Sequence, residues 1–235
     1  MTPAPALAPG TTFAIVGAGR LGTVLAGALR AAGFDVRGPF RSAEAIPETD
    51  IAILAVPDAA IPDAARNAHA KKRAHLSGAT ALDAVDFSIH PLQTFTGTEP
   101  PEVFHGIGAA VDGRTDDDRQ LAKDLARALG MTPFTVTDRA TYHAAASFAS
   151  NFVLTVLDAA EQFATAAGVE NPREILAPLV RQSVENWQRS GARASLTGPI
   201  ARGDEATVAR QREAADDKVL FDALAAATRA LKDRA

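Results

Sequence analysis

The chain has 235 residues, of which 47% are hydrophobic and 22% charged, and its formal net charge is −4. That is a globular composition with enough apolar material for one large domain or two small ones. The slightly acidic balance excludes a basic footprint for nucleic acid or an anionic membrane, and the absence of cysteine excludes disulfides and thiolate metal sites.

The opening segment MTPAPALAPG has neither a basic stretch nor a long apolar run, so it reads as a short tail rather than a signal peptide. No run approaches the ~20 apolar residues of a membrane span. A cytoplasmic protein is expected. Residues 13–16 form a short apolar run ending in glycines, as a buried parallel strand does. Gly17-Ala18-Gly19-Arg20-Leu21-Gly22 follows, and Leu21, Val24, Leu25, Ala28 and Leu29 then recur at helical spacing until Gly33. Residues 34–40 predict a second strand. Residues 51–56 predict the clearest strand of the chain, closed by Pro57-Asp58, with Asp58 placed to cap a helix that tolerates Pro62 in its first turn.

Later strands are predicted on the run ending at Leu76 and over 85–89, 103–107 and 134–136, with a helix over 119–129 stopped by Gly130. Strand and helix alternation through residue 138 predicts a mostly parallel α/β sheet. Beyond it the strand signal stops. An alanine-rich helix is predicted over 139–168, another over about 172–189, a loop over 190–204, and a last helix from about 205. The fold class is therefore α/β, a mostly parallel sheet over residues 1–138 followed by an all-α domain over 139–235.

The glycine loop lies directly after a strand and opens a helix, the context in which GxGxxG has a mechanism. Gly17 permits the tight turn, Gly19 lets backbone approach a pyrophosphate, and Gly22 allows close helix–strand packing. The helix start supplies N–H groups and positive dipole for phosphate. The first domain thus reads as a Rossmann-type dinucleotide domain. Its second strand ends in Gly38-Pro39-Phe40-Arg41-Ser42, without the acidic residue that holds a ribose hydroxyl in NAD enzymes. Asp35 lies too early for that task and Glu44 too late. Arg41 can fork onto a 2′-phosphate and Ser42 can donate to it, so NADP(H) is the expected cofactor. Val56, Pro57-Asp58 and Ser77-Gly78 fall where strand ends line such a crevice, although alone they are ordinary turn chemistry.

His143, Ser147 and Asn151 are spaced i, i+4, i+8 on the alanine-rich helix and would share one stripe. A carbonyl or imine that accepts hydride needs a proton donor and a polariser, roles open to His143 and to Asn151 with Ser147; a solvated helix face is the plainer alternative. His90 follows a strand and would sit at its carboxyl end, touching nicotinamide or substrate or else serving structure. Tyr142 and, in the loop Leu196–Asp204, Thr197, Arg202 and Asp204 complete the substrate candidates. Arg202 can bind a carboxylate, while Asp204 can equally be a helix cap. No histidine and carboxylate spacing suggests a metal.

The segments GAGRLG, FRS, LAVPD, HLSG, HPLQTF, YHAAASFASNF and LTGPIARGD, in this order over residues 13–208, resemble a bacterial family of Rossmann-like oxidoreductases with a C-terminal DUF2520 domain. That family is similar to the 6-phosphogluconate dehydrogenase-like superfamily, with its pyrroline-5-carboxylate, ketopantoate and coenzyme F420-dependent NADP reductases. The resemblance implies an interdomain cleft, a homodimer through the helical domain, and a cofactor shell that includes Pro57, Asp58, Ser77 and Gly78. Two departures bear on chemistry. No lysine lies between Lys123 and Lys218, where many hydroxyacid dehydrogenases of the superfamily carry one on the first long helix, and Ala209-Arg210-Gln211 stands where a histidine is expected. The segment between Ser77 and His90 is also short. The expected activity is NADPH-dependent reduction of a small carbonyl or imine, such as a 2-oxo acid like ketopantoate. A non-catalytic NADP(H) sensor and an F420-dependent NADP reductase are the alternatives.

Overall fold

Strands whose residues alternate between two apolar layers lie at the centre of the first unit, as the computed structural model, which describes residues 7–8, 10–41 and 44–234, shows. Its elements are β1 (Thr12–Val16), α1 (Arg20–Ala31), β2 (Asp35–Phe40) and β3 (Thr49–Leu54), then a 3-10 turn at Asp58–Ala60 leading into α2 (Ile61–Asn67). β4 (Ala70–His75), β5 (Phe87–Pro91), a second 3-10 turn at Pro101–Phe104, β6 (Gly108–Gly113), α3 (Asp116–Ala128), β7 (Thr132–Phe134) and α4 (Arg139–Ala149) follow. The sheet order is β2-β1-β3-β4-β5-β6-β7, parallel throughout except where β5 meets β6.

Period-two alternation decides which layer each side chain joins. Phe13 and Ile15 of β1, with Ile51 and Ile53 of β3, pack against Leu25, Leu29, Phe104 and Leu125 on one face. Ala14, Leu54, Ile61 and Val85 form the layer on the other. Burial on both faces is why these strands are continuous apolar runs, and each large side chain so buried contributes about 1.5–3 kcal/mol. The α3 N-terminus is fixed by Thr115, whose hydroxyl accepts the Asp118 N–H, while Lys72 of β4 pairs with the nearly buried Asp118 at 2.6 Å. Burial alone would raise the Asp118 pKa, yet the Lys72 and Thr115 hydrogen bonds outweigh it and hold the carboxyl below its ordinary value.

The strand predicted over 103–107 is absent. Pro100-Pro101 start a 3-10 turn instead, and Phe104 enters the core as a plug. The strand that does form, β6, is built of Gly108-Ala109-Ala110-Val111, small residues of weak strand preference. The helix predicted over 139–168 is broken at Ser150 (φ −129, ψ −76), so α4 ends and α5 (Asn151–Ala166) begins separately. Compactness divides the chain between Asn151 and Phe152, one helix later than the boundary at residue 138. α4 stays with the sheet because Asp138 caps it through the Ala140 and Thr141 amides, while the Arg139 guanidinium donates to Ser88 Oγ at 2.7 Å and Asp112 at 3.2 Å.

The second unit is helical: the rest of α5, then α6 (Pro172–Ser195), α7 (Gly198–Arg202), α8 (Glu205–Glu213) and α9 (Lys218–Asp233). The loop predicted over 190–204 contains structure, because α6 continues through a kink at Gly191 (φ 77) and Gly198-Pro199 starts the short α7. The final helix is interrupted before Asp217, which caps α9 by accepting the Leu220 N–H at 2.9 Å. Among the described residues no helix is long and apolar enough to cross a membrane.

Candidate functional site

Three glycines at the end of β1 do different physical work. A Cβ on Gly17 would lie 2.2 Å from the Ala55 carbonyl oxygen, and one on Gly22 only 2.0 Å from that of Gly17. Helix α1 is thereby drawn against the strand ends. At Gly19 an added Cβ would meet nothing within 4 Å, so its bare backbone faces open space. α1 has no side-chain cap and no acidic residue in its first turn, leaving its leading amides for an external anion.

The glycine loop opens into a groove of about 940 Å³ whose walls include Gly17, Ala18, Gly19, Phe40, Arg41, Glu44, Ile46, Val56, Pro57, Ala60, Ala64, Asn67 and His69. Arg41 stands at the end of β2, and its guanidinium has no ion-pair partner among the described residues. Ser42 lies outside the described residues. Glu44 is not too late in the chain to reach this wall: the Arg41 backbone N–H donates to its carboxylate at 2.6 Å. His69, which no motif singles out, also lines the groove. Glu44 and Ile46, between β2 and β3 in the chain, both line the groove.

Further along the same carboxyl edge, beyond β4 and β5, a second cluster assembles. Ser77 N–H donates to His75 Nδ1, so the buried ring must donate from Nε2 to the Ala81 carbonyl; His75 is a neutral structural histidine that shapes the turn. Burial lowers its pKa. The Ser77 hydroxyl donates to Asp58 at 2.8 Å and accepts the Ala79 and Thr80 amides, tying the loop after β3 to the loop after β4. Gly78 follows. A Cβ there would strike the His90 ring at 2.9 Å and His143 Cδ2 at 3.1 Å, so the glycine is what lets both imidazoles approach.

His90 Nδ1 and the Tyr142 hydroxyl are 2.7 Å apart, with the rings edge to face at 5.5 Å, and Phe134 packs edge-on against the phenol. The His143 ring centre is 6.2 Å from that of His90. Burial, reinforced by the positive potential of His143 and Arg139, pulls the His90 pKa down to about 4. Burial pushes the Tyr142 phenol up to about 12, against the opposing effect of Arg139. At neutral pH both are uncharged and share one hydrogen, donated either by the phenol or by Nδ1. Such a pair can give a proton to, or take one from, a reacting atom brought beside it.

Gly78, His90, Tyr142 and His143 thus come together, whereas the proposed stripe does not run to its end. The Ser147 hydroxyl donates to the His143 carbonyl at 3.2 Å, and the break at Ser150 carries Asn151 out of the register it would hold on a continuous helix, with Ser150 Oγ 2.8 Å from its Oδ1. Of the glycine-loop residues, Arg20, Leu21 and Gly22 form the first turn of α1 rather than the groove wall. In the second unit Asp204 caps α8 through the Thr207 amide at 3.0 Å, Arg202 is exposed in the last turn of α7, and Thr197 precedes that helix without a side-chain cap bond. No group of histidine and carboxylate side chains among the described residues could hold a metal ion.

Solved structures share this architecture at low identity. A Thermotoga maritima protein is 22% identical with a TM-score of 0.79, covering 94% of this chain and 100% of its own. A Bacteroides fragilis protein, provisionally named an NADP oxidoreductase, is 20% identical with a TM-score of 0.80, covering 96% and 99%. A 1-pyrroline-5-carboxylate reductase from Streptococcus pyogenes is 12% identical with a TM-score of 0.65, covering 97% and 100%. Among curated proteins nothing matches. The family model for DUF2520, a domain of unknown function, matches residues 107–228, more than half of the sequence, and the chain belongs to that family.

Proposed function

We propose that the chain is an NADP(H)-dependent oxidoreductase that reduces a small carbonyl or imine compound. The observation that carries this reading is the bare Gly19 backbone at the uncapped start of α1, opening onto a groove that also presents Arg41. Structures of like fold described as NADP oxidoreductase and pyrroline-carboxylate reductase add support.

Bound there, the reduced nicotinamide would supply a hydride. The Gly17, Ala18 and Gly19 backbone and the first amides of α1 would hold the diphosphate, with Arg41 and Ser42 on the 2′-phosphate and Val56 and Pro57 on the groove wall. The substrate's reacting oxygen or nitrogen needs a proton, and His143 or the Tyr142 hydroxyl, the latter steadied by His90, can provide it without the missing helix lysine. Ser147, one turn along α4 from His143, would orient the substrate. A homodimer through the helical unit fits the apolar side chains that α5 and α6 expose.

The test is NADPH oxidation by the purified chain with a panel of 2-oxo acids and cyclic imines, beside the His143→Ala and Tyr142→Phe variants. Turnover that falls in a variant while NADPH affinity is retained supports the reading. Saturable NADPH binding without turnover on any member favours the sensor, and turnover unchanged in both variants overturns the proton-transfer assignment.

A further inference from the structure

We propose that Glu44 sets how strongly the groove prefers a nucleotide carrying a 2′-phosphate, by competing with that phosphate for Arg41; the inference rests on the NADP(H) reading above. Two hydrogen bonds join Arg41 and Glu44. The Arg41 N–H donates to Glu44 Oε2 at 2.6 Å, and the Glu44 N–H returns to the Arg41 carbonyl at 3.2 Å. Both residues line the same groove as Gly17 and Gly19, and both are exposed to it rather than locked in the core. The carboxylate therefore occupies the Arg41 backbone donor at this strand end and adds a negative charge to the groove wall where a phosphate would seek Arg41.

The two possible guests meet this carboxylate differently. A ribose with a free 2′-hydroxyl can donate to it, as the ribose does to an acidic residue near the end of the second strand in NAD sites. A 2′-phosphate is an acceptor only, so it must displace the carboxylate from the Arg41 amide or bear its repulsion. Arg41 and Glu44 thus pull in opposite directions, and the preference of the intact groove for the phosphorylated nucleotide is smaller than Arg41 alone would give. Sequence spacing sets Glu44 aside; its hydrogen bond to Arg41 and its place on the groove wall bring it back.

Adenosine 2′,5′-bisphosphate and 5′-ADP are the probes, each titrated calorimetrically into the full chain and into Glu44→Gln and Arg41→Ala. Glutamine keeps an oxygen for the Arg41 N–H, so the turn survives and only the charge is lost. The expected result for Glu44→Gln is affinity for the bisphosphate raised about tenfold, with ADP unchanged or slightly weaker. Arg41→Ala is expected to shift the ratio the other way. Binding of both probes with the same ratio in wild type and Glu44→Gln overturns the role of Glu44 and leaves the cofactor reading standing. Failure of wild type to bind either probe overturns both.

Discussion

In the sheet unit the elements cover one another: Phe13, Leu29, Phe87 and Leu125 are fully inaccessible, and α1, α2 and α3 each bury a face. In the helical unit α5 and α6 bury no residue, while Leu154 is 65%, Ile175 64%, Leu179 65% and Trp187 58% exposed. Between these two helices lies an apolar groove of about 490 Å³ floored by Leu157, Leu176 and Val180. A sheet buried on both faces completes its own core, so its carboxyl edge is rigid enough to hold glycine backbone and side chains in fixed positions. Helices carrying this much uncovered leucine, isoleucine and tryptophan instead offer an apolar surface of the kind a partner covers. On the proposed function, the first unit would recognise the nucleotide and the second would assemble.

The largest effect is expected where backbone meets backbone. Gly22→Ala places a Cβ 2.0 Å from the Gly17 carbonyl oxygen, which cannot yield without moving α1. Nucleotide affinity should fall at least about 100-fold and stability by about 3 kcal/mol, read by calorimetry and thermal melting. Next is the assembly claim. The pair Leu154→Asp and Leu179→Asp should convert a dimer to monomers in sedimentation experiments, each change weakening association by about 2 kcal/mol. A wild-type chain that is monomeric at high concentration would erase the contrast between the units.

Smaller effects lie at the second cluster. Gly78→Ala crowds the His90 and His143 rings and should lower turnover about tenfold with the nucleotide affinity held within twofold. Acid stability offers a check free of substrate. Unfolded, His90 takes up its proton near 6.5, whereas burial holds it to about 4 in the fold, and burial lowers His75 as well. The unfolded chain then binds more protons as pH falls below 6.5, so stability is lost in that direction, by at most about 1.4 kcal/mol per pH unit per histidine. For His90 the loss continues down to about pH 4. Denaturant midpoints measured between pH 7 and 4 read this, and His90→Gln should flatten the curve.

The first unit was legible because its signals are local. The runs through Ile15 and Ile53 and the glycine loop each depend on neighbours in sequence. β6 was missed because Gly108, Ala109 and Ala110 carry no strand signature, and the apolar Val103-Phe104 beside them imitates one. The break at Ser150 escaped notice because alanine on both sides favours helix, and its cause is not written in the pattern. In the site, Gly17, Gly19, Arg41 and Pro57 could be named from a motif, yet Glu44 and His69 enter the groove only through the path of the chain between strands. The contact of His90 with Tyr142 joins residues far apart in sequence, a pairing that spacing rules do not reach. A signal existed for Glu44 in its nearness to Arg41, but reading it needed the hydrogen bond between them.

Titration of NADPH into the pure, folded chain by calorimetry bears most directly on the claim that the first unit is a dinucleotide site. Saturable heat at one nucleotide per chain, lost in Gly22→Ala and retained in Tyr142→Phe, is the expected result. A flat titration with both NADPH and NADP+ on folded protein would contradict it.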